Sequence, residues 1–149
     1  MSLHSYSRCW IHLVWTTLKR EKLLPKDARR QISRYLYDYA KSKSIPMEIN
    51  FVNADHVHVL IDLPSGTPID EAAKLLKGAS SHWINQERIT PAKFAWARGY
   101  GAFSVSPSHL QKLKLYIEGQ DEHHRTKSFQ EEYTRILGAY GLREEEENR

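Results

Sequence analysis

The chain has 149 residues, 40% of them hydrophobic, with 22 Lys and Arg against 18 Asp and Glu and a formal net charge of +4. That is apolar material enough for one compact domain with its own core, and no run of about eighteen apolar residues is present for a membrane span. A single cysteine excludes an intramolecular disulfide, and the first residues lack the charged-then-apolar order of a signal peptide, so a cytoplasmic protein is expected.

In chain order, residues 6–17 read as a strand with Trp10, Trp15 and Cys9 packed in it. Residues 25–42 read as a helix, because Ala28, Ile32, Tyr35, Leu36 and Tyr39 recur at helical spacing. Residues 45–52 and 56–63 read as two strands joined by the turn Asn53-Ala54-Asp55, and residues 67–86 as a second helix with Pro68 in its first turn. Residues 90–101 are loop-like, 102–106 make a fourth strand, and a helix runs from 107 to about 120. The order βαββαβ plus a helix predicts an α+β, ferredoxin-like domain: an antiparallel sheet with helices on one face and room for a site on the other. The domain is expected over residues 1–142. Residues 143–149, with two Arg and four Glu, read as a charged, flexible tail, which leaves 20 basic and 14 acidic residues in the body. This mild surplus favours phosphate backbones but is common in proteins that bind none.

The most informative motif is His56-Val57-His58. In a strand His56, His58 and Leu60 share one face, while Val57, Val59 and Ile61 share the other and pack inward, so the histidines are displayed. Paired imidazoles on a rigid strand suit a divalent metal, although a third ligand must come from elsewhere. The competing reading is two partly buried histidines that hydrogen-bond to neighbours. Downstream, Tyr116 and Gln120 are i and i+4 neighbours on the last helix, a phenol beside a carboxamide oxygen. Each alone is an ordinary packing or surface residue; together with the histidines they offer a nucleophile and a further ligand.

With these residues in this order the chain resembles the single-tyrosine HUH transposases of the insertion-sequence 200/605 type, including their repeat-associated relatives. The resemblance runs from Trp10-Ile-His-Leu-Val-Trp-Thr-Thr17 through His56-Val57-His58 and Lys77-Gly-Ala-Ser-Ser-His-Trp-Ile-Asn85 to Tyr116 and Gln120. It implies that His56, His58 and Gln120 bind a divalent metal, Mg²⁺ or Mn²⁺, and that Tyr116 attacks single-stranded DNA to form a 5′-phosphotyrosine link. It also implies recognition of a hairpin near an element's end, and a homodimer with composite sites in which Tyr116 of one chain meets His56 and His58 of the other.

Physically, a metal there would stabilise charge in the phosphoryl displacement, and exchange of one phosphodiester for a similar ester needs no ATP. A free phenol titrates near pH ~10, so Tyr116 needs activation, and no residue in the sequence declares itself as the base. Lys74, Lys77 and Arg98 are candidate DNA contacts, as are Ser80, Ser81, Trp83 and Asn85, each with an equally good reading as a solvated or packed residue. His4, His12, His82, His109, His123 and His124 show no competing spacing, and an exposed pair is expected at 123 and 124. Asp55 and Asp62 read first as turn and strand-end residues, with support of the histidines as the other reading. Two other functions compete: a different HUH endonuclease of the replication-initiator or relaxase type, normally within a longer protein, and a non-catalytic single-stranded nucleic-acid-binding module on the same fold.

Overall fold

A computed structural model describes residues 5–145. Strands β1 (Trp10–Thr16), β2 (Met47–Val52), β3 (His56–Asp62) and β4 (Gly101–Ser104) form one antiparallel sheet in the order β2-β3-β1-β4. Helix α1 (Lys26–Ser42) links β1 to β2, and α2 (Ile69–Gln86) links β3 to β4. After β4 come α3 (Leu110–Glu118), the single turn α4 (Gln120–His123) and α5 (Phe129–Ala139).

Strand period divides the residues of the central pair cleanly. Ile11, Leu13 and Trp15 of β1 and Val57, Val59 and Ile61 of β3 meet Ala28, Ile32, Leu36 and Ala40 of α1 and Ala72, Leu76 and Ile84 of α2 in the main core. Each fully buried Leu or Ile there contributes about 1.5–3 kcal/mol relative to exposure. The loop after α2 is pinned to this layer. Asn85 donates to the Phe94 carbonyl at 2.9 Å and accepts from its N–H at 2.7 Å, and Trp96 Nε1 donates to the buried Ser80 hydroxyl at 2.9 Å. Ser80 and Asn85 are thus structural, and Trp83 stacks on Tyr35 at 5.0 Å.

The opposite face of the sheet is covered, contrary to the open face expected from the sequence. Val14 and Phe103 pack there against Phe129 and Leu137 of α5, with Tyr133 and Ile136 alongside. Helix α5 starts at a capping box in which Ser128 Oγ accepts from the Glu131 N–H and the Glu131 carboxylate accepts from the Ser128 N–H. Tyr133 approaches β4 so closely that a Cβ on Gly101 would stand 2.6 Å from its hydroxyl, which is why a glycine opens that strand.

Boundaries shift for local reasons. Strand β1 begins at Trp10 because its partner β3 ends at Asp62, opposite it; Tyr6 is 95% exposed, and Cys9 is exposed rather than in the core. Pro25 and Pro68 stand just before their helices, so Pro68 is a cap residue and not part of the first turn. The predicted helix over 107–120 divides into a 3-10 turn at Pro107–His109, then α3 and α4, with Gly119 between them. In the predicted tail Glu144 pairs with Arg20 at 3.0 Å, while residues 146–149, like residues 1–4, lie outside the described residues. Among the described residues no helix is long and apolar enough to cross a membrane.

Candidate metal and nucleophile site

The covered face carries His12 and Val14 from β1 and His56 and His58 from β3. His56 and His58 are fully buried. The strand does aim them away from the main core, but α3 to α5 close over them, so they are enclosed and not displayed.

What they meet is a carboxylate. Glu132 of α5 is buried, and its Oε1 lies 3.1 Å from His56 Nε2, 3.1 Å from His58 Nε2 and 3.2 Å from His124 Nε2. Its Oε2 accepts from Gln120 Nε2 at 2.8 Å and from the Tyr116 hydroxyl. Gln120, also buried, turns its Oε1 toward His56 Nε2 at 3.3 Å and His124 Nε2 at 3.1 Å. The four residues singled out in the sequence therefore come together, and three others join them: Glu132, His124 and Asn53, whose amide donates to Gln120 Oε1 at 3.1 Å. The expected exposed pair at 123 and 124 is overturned, because α4 continues as one helical turn past Gln120 and sets His124 at i+4 beside it. His124 enters the site, and the His123 ring lies 4.6 Å from that of Tyr116.

The partners on the far side of each ring fix its tautomer. Asp55 Oδ1 accepts from His56 Nδ1 at 2.7 Å, and the Lys127 carbonyl accepts from His124 Nδ1 at 2.8 Å. In its neutral form each of these rings turns a bare Nε2 toward Glu132 Oε1. Asp55 is thus a partner of a site histidine. Asp62, by contrast, takes the Cys9 N–H at 2.8 Å and Arg8 at the strand end.

The electrostatics follow. Burial pushes the Glu132 carboxyl up, but hydrogen bonds from His124, His56 and His58 outweigh it and hold the group far below the usual carboxylate range. Burial lowers His56 too, yet Asp55 and Glu132 win and raise it; for Asp55 burial is likewise outweighed by His56, and the carboxyl is lowered. His58 is lowered, chiefly by burial. His12 is lowered to about 3 by burial and by His58. The Tyr116 phenol is pushed above its ordinary range by burial and then by its bond to the Glu132 charge.

The donor set fits a divalent cation. Atoms of His56, His58 and Glu132 lie within 4.8 Å of one another, and lone pairs of imidazole and carboxylate converging at 3.1 Å repel unless a proton or a cation sits among them. The site opens on a cleft of about 430 Å³ beside Tyr116, with Lys127 and Arg135 on its walls. The predicted DNA contacts Lys74, Lys77 and Arg98 line a different cleft of about 450 Å³. There Lys77 is spent on the Ala97 and Gly99 carbonyls, at 2.8 and 2.7 Å.

Sequence reasoning passed over Glu132, yet a signal exists. Phe129, Glu132, Tyr133, Ile136 and Leu137 follow i, i+3, i+4, i+7 and i+8, so a carboxylate stands on an apolar stripe behind a Ser-x-x-Glu cap.

A family model described as Transposase IS200 like matches residues 5–120. The transposases for insertion sequence element IS200 of Salmonella typhimurium LT2 and of Salmonella typhi are each 26% identical to this chain over 125 residues, covering 80% of it and 81% of their own length. Among solved structures, a candidate transposase from Deinococcus radiodurans R1 superposes with a TM-score of 0.64 at 24% identity, over 80% of this chain and 96% of that one. A REP-associated tyrosine transposase bound to a REP hairpin superposes with a TM-score of 0.57 at 16% identity, over 83% and 74%. The family match ends at Gln120, so His124 and Glu132 lie beyond it.

Proposed function

Because the chain belongs to the IS200-like transposase family, a family of DNA strand-transfer enzymes, we propose that it cleaves and rejoins single-stranded DNA through a 5′-phosphotyrosine link to Tyr116. The observation that carries this reading is the Tyr116 hydroxyl bonded to a carboxylate on which two strand histidines, a third imidazole and Gln120 also converge.

His56, His58, Gln120 and Glu132 hold the cation in this reading, and Mn²⁺ or Mg²⁺ suits their mixed nitrogen and oxygen donors. Bound there, it supplies positive charge that favours phenolate and polarises a non-bridging phosphate oxygen. Glu132 Oε2 orients the phenol by accepting its hydrogen bond, and the phenol proton passes to water as the phenol oxygen bonds to phosphorus. The bond from phosphorus to the 3′ oxygen breaks, and that oxygen leaves as a hydroxyl after taking a proton from water. Rejoining is the reverse: a 3′-hydroxyl gives its proton to water as its oxygen bonds to phosphorus, the bond from phosphorus to the Tyr116 oxygen breaks, and the phenolate takes a proton from water while Glu132 Oε2 again accepts its hydrogen bond. Because the raised phenol is a poor nucleophile in the resting site, cleavage should depend on the metal.

The strand approaches through the cleft beside Tyr116, where Lys127 and Arg135 meet its phosphates. The likeness in fold to a transposase bound to a REP hairpin supports a hairpin-bearing substrate. Two element ends held at once require two nucleophiles, so we propose a homodimer. Tyr116 reaches Glu132 within one chain, so each protomer carries a nucleophile beside a donor set of its own.

The test is incubation of wild type and Tyr116→Phe with labelled single strands from the DNA flanking the gene, with Mn²⁺, Mg²⁺ or EDTA, read on a denaturing gel. A metal-dependent covalent adduct absent from Tyr116→Phe is expected. Tight binding with no adduct in any metal would return the chain to the non-catalytic binding modules.

A further inference from the structure

His58 ligates through Nε2 only if its proton sits on Nδ1, because the ligating nitrogen must be bare. For His56 and His124 the group that enforces this is an oxygen, of Asp55 or of Lys127. For His58 it is another imidazole: among the described residues the atom that meets His58 Nδ1 is His12 Nε2, at 2.8 Å. Both rings are buried and stack with centroids 5.1 Å apart and planes 20° apart. Strand pairing puts them there. Val14 lies opposite His58 and His12 opposite Leu60, so His12 is the diagonal neighbour of His58 on the same face of the sheet. Phe103 on β4 flanks His12 at 6.1 Å.

We propose that His12 is a positioning residue for the metal site: it accepts the Nδ1–H of His58 and so holds His58 in the tautomer whose bare Nε2 faces Glu132. An oxygen partner can only accept, whereas an imidazole partner can accept or donate. Of the two ligating imidazoles, His58 is thus the one whose ligating form depends on the state of a second ring. In the ligating form His12 carries its own proton on Nδ1, and its ring lines the cleft beside Tyr116.

The experiment measures Mn²⁺ binding alone, without DNA, by electron paramagnetic resonance on the full chain, for wild type, His12→Leu, His12→Gln and Glu132→Gln. The His12→Leu protein should bind about 10- to 100-fold more weakly, the range for losing the partner that orients a ligating histidine. In His12→Gln a carboxamide oxygen takes over as acceptor and should restore most of the affinity, which a purely space-filling role would not require. Circular dichroism in EDTA checks that each variant folds. In Zn²⁺-loaded wild type, ¹⁵N-detected imidazole spectra should show His58 protonated at Nδ1 and His12 protonated at Nδ1. Wild-type affinity in His12→Leu, or a loaded His58 protonated at Nε2, would overturn the role of His12; the second readout needs no variant. The inference rests on the metal reading above, and the two fail differently. If wild type itself binds no Mn²⁺, that reading falls, whereas binding that Glu132→Gln weakens and His12→Leu leaves at the wild-type level removes only the role of His12.

Discussion

Replacing Glu132 with Gln is the sharpest perturbation of this site, because it removes one charge and little volume. Carboxylate oxygen Oε1 stands 3.1 to 3.2 Å from three imidazole nitrogens, so a cation held among them is within a few ångströms of the charge that is lost. A unit charge pair at 4 Å is worth about 4 kcal/mol at an effective dielectric of 20, so a divalent cation gains about 8 kcal/mol gross from the carboxylate. Most of that returns as the cost of keeping the charge out of water, and a residue of about 2 kcal/mol corresponds to about 30-fold in affinity. Mn²⁺ titration followed by electron paramagnetic resonance, on protein checked for folding in EDTA, measures the difference. Adduct formation should fall in parallel at sub-saturating metal and recover in part as Mn²⁺ is raised. Unchanged affinity in Glu132→Gln would mean that the carboxylate only caps the phenol and histidines and swings away when metal binds, and the ligand set would then reduce to His56, His58 and Gln120.

Three further outcomes follow from the same geometry. Lys127→Ala with Arg135→Ala should weaken single-strand binding and flatten its salt dependence by about 0.7 in logarithmic slope for each phosphate that is no longer neutralised, whereas Lys74→Ala with Arg98→Ala should change it less; fluorescence anisotropy across a salt series measures both, and the reverse ranking would place the strand in the other cleft. Asp55 and Glu132 are lowered in the fold, so the stability they lend is complete above about pH 4 and is lost as pH falls below it, while the raised His56 lends stability that is lost as pH rises through its folded value. Thermal melts in EDTA should therefore show acid destabilisation that Asp55→Asn reduces, and an unchanged acid slope in that variant would refute the assignment. Gly101→Ala drives a methyl to 2.6 Å from the Tyr133 hydroxyl and should cost about 1–3 kcal/mol, partly recovered by adding Tyr133→Phe, as read by denaturant melts; equal stability would show that α5 shifts freely on β4.

The parts of this molecule that were legible in the sequence are those set by local periodicity. Val57, Val59 and Ile61 mark one face of β3 and force His56 and His58 onto the other, and Ala28, Ile32 and Leu36 mark the inner stripe of α1. Such patterns predict which way a side chain points, but not what covers it. Whether His56 and His58 are open or enclosed is decided by α5, far downstream in the chain, whose own stripe had to be read as a helix face before Glu132 stood out on it. His12 was illegible for a related reason: it is 46 residues from His58, and only the β1–β3 register, Val14 opposite His58, makes the two neighbours. The consequence reaches the chemistry. An i, i+4 reading of Tyr116 and Gln120 supplies a nucleophile and a ligand but no acceptor for the phenol proton, whereas the folded chain puts one carboxylate between both residues and the histidines. Metal and phenol then share Glu132. A cation that draws on Oε1 changes the charge facing the phenol through Oε2, so a substitution at another ligand that lowers metal occupancy should lower the reactivity of Tyr116 with it.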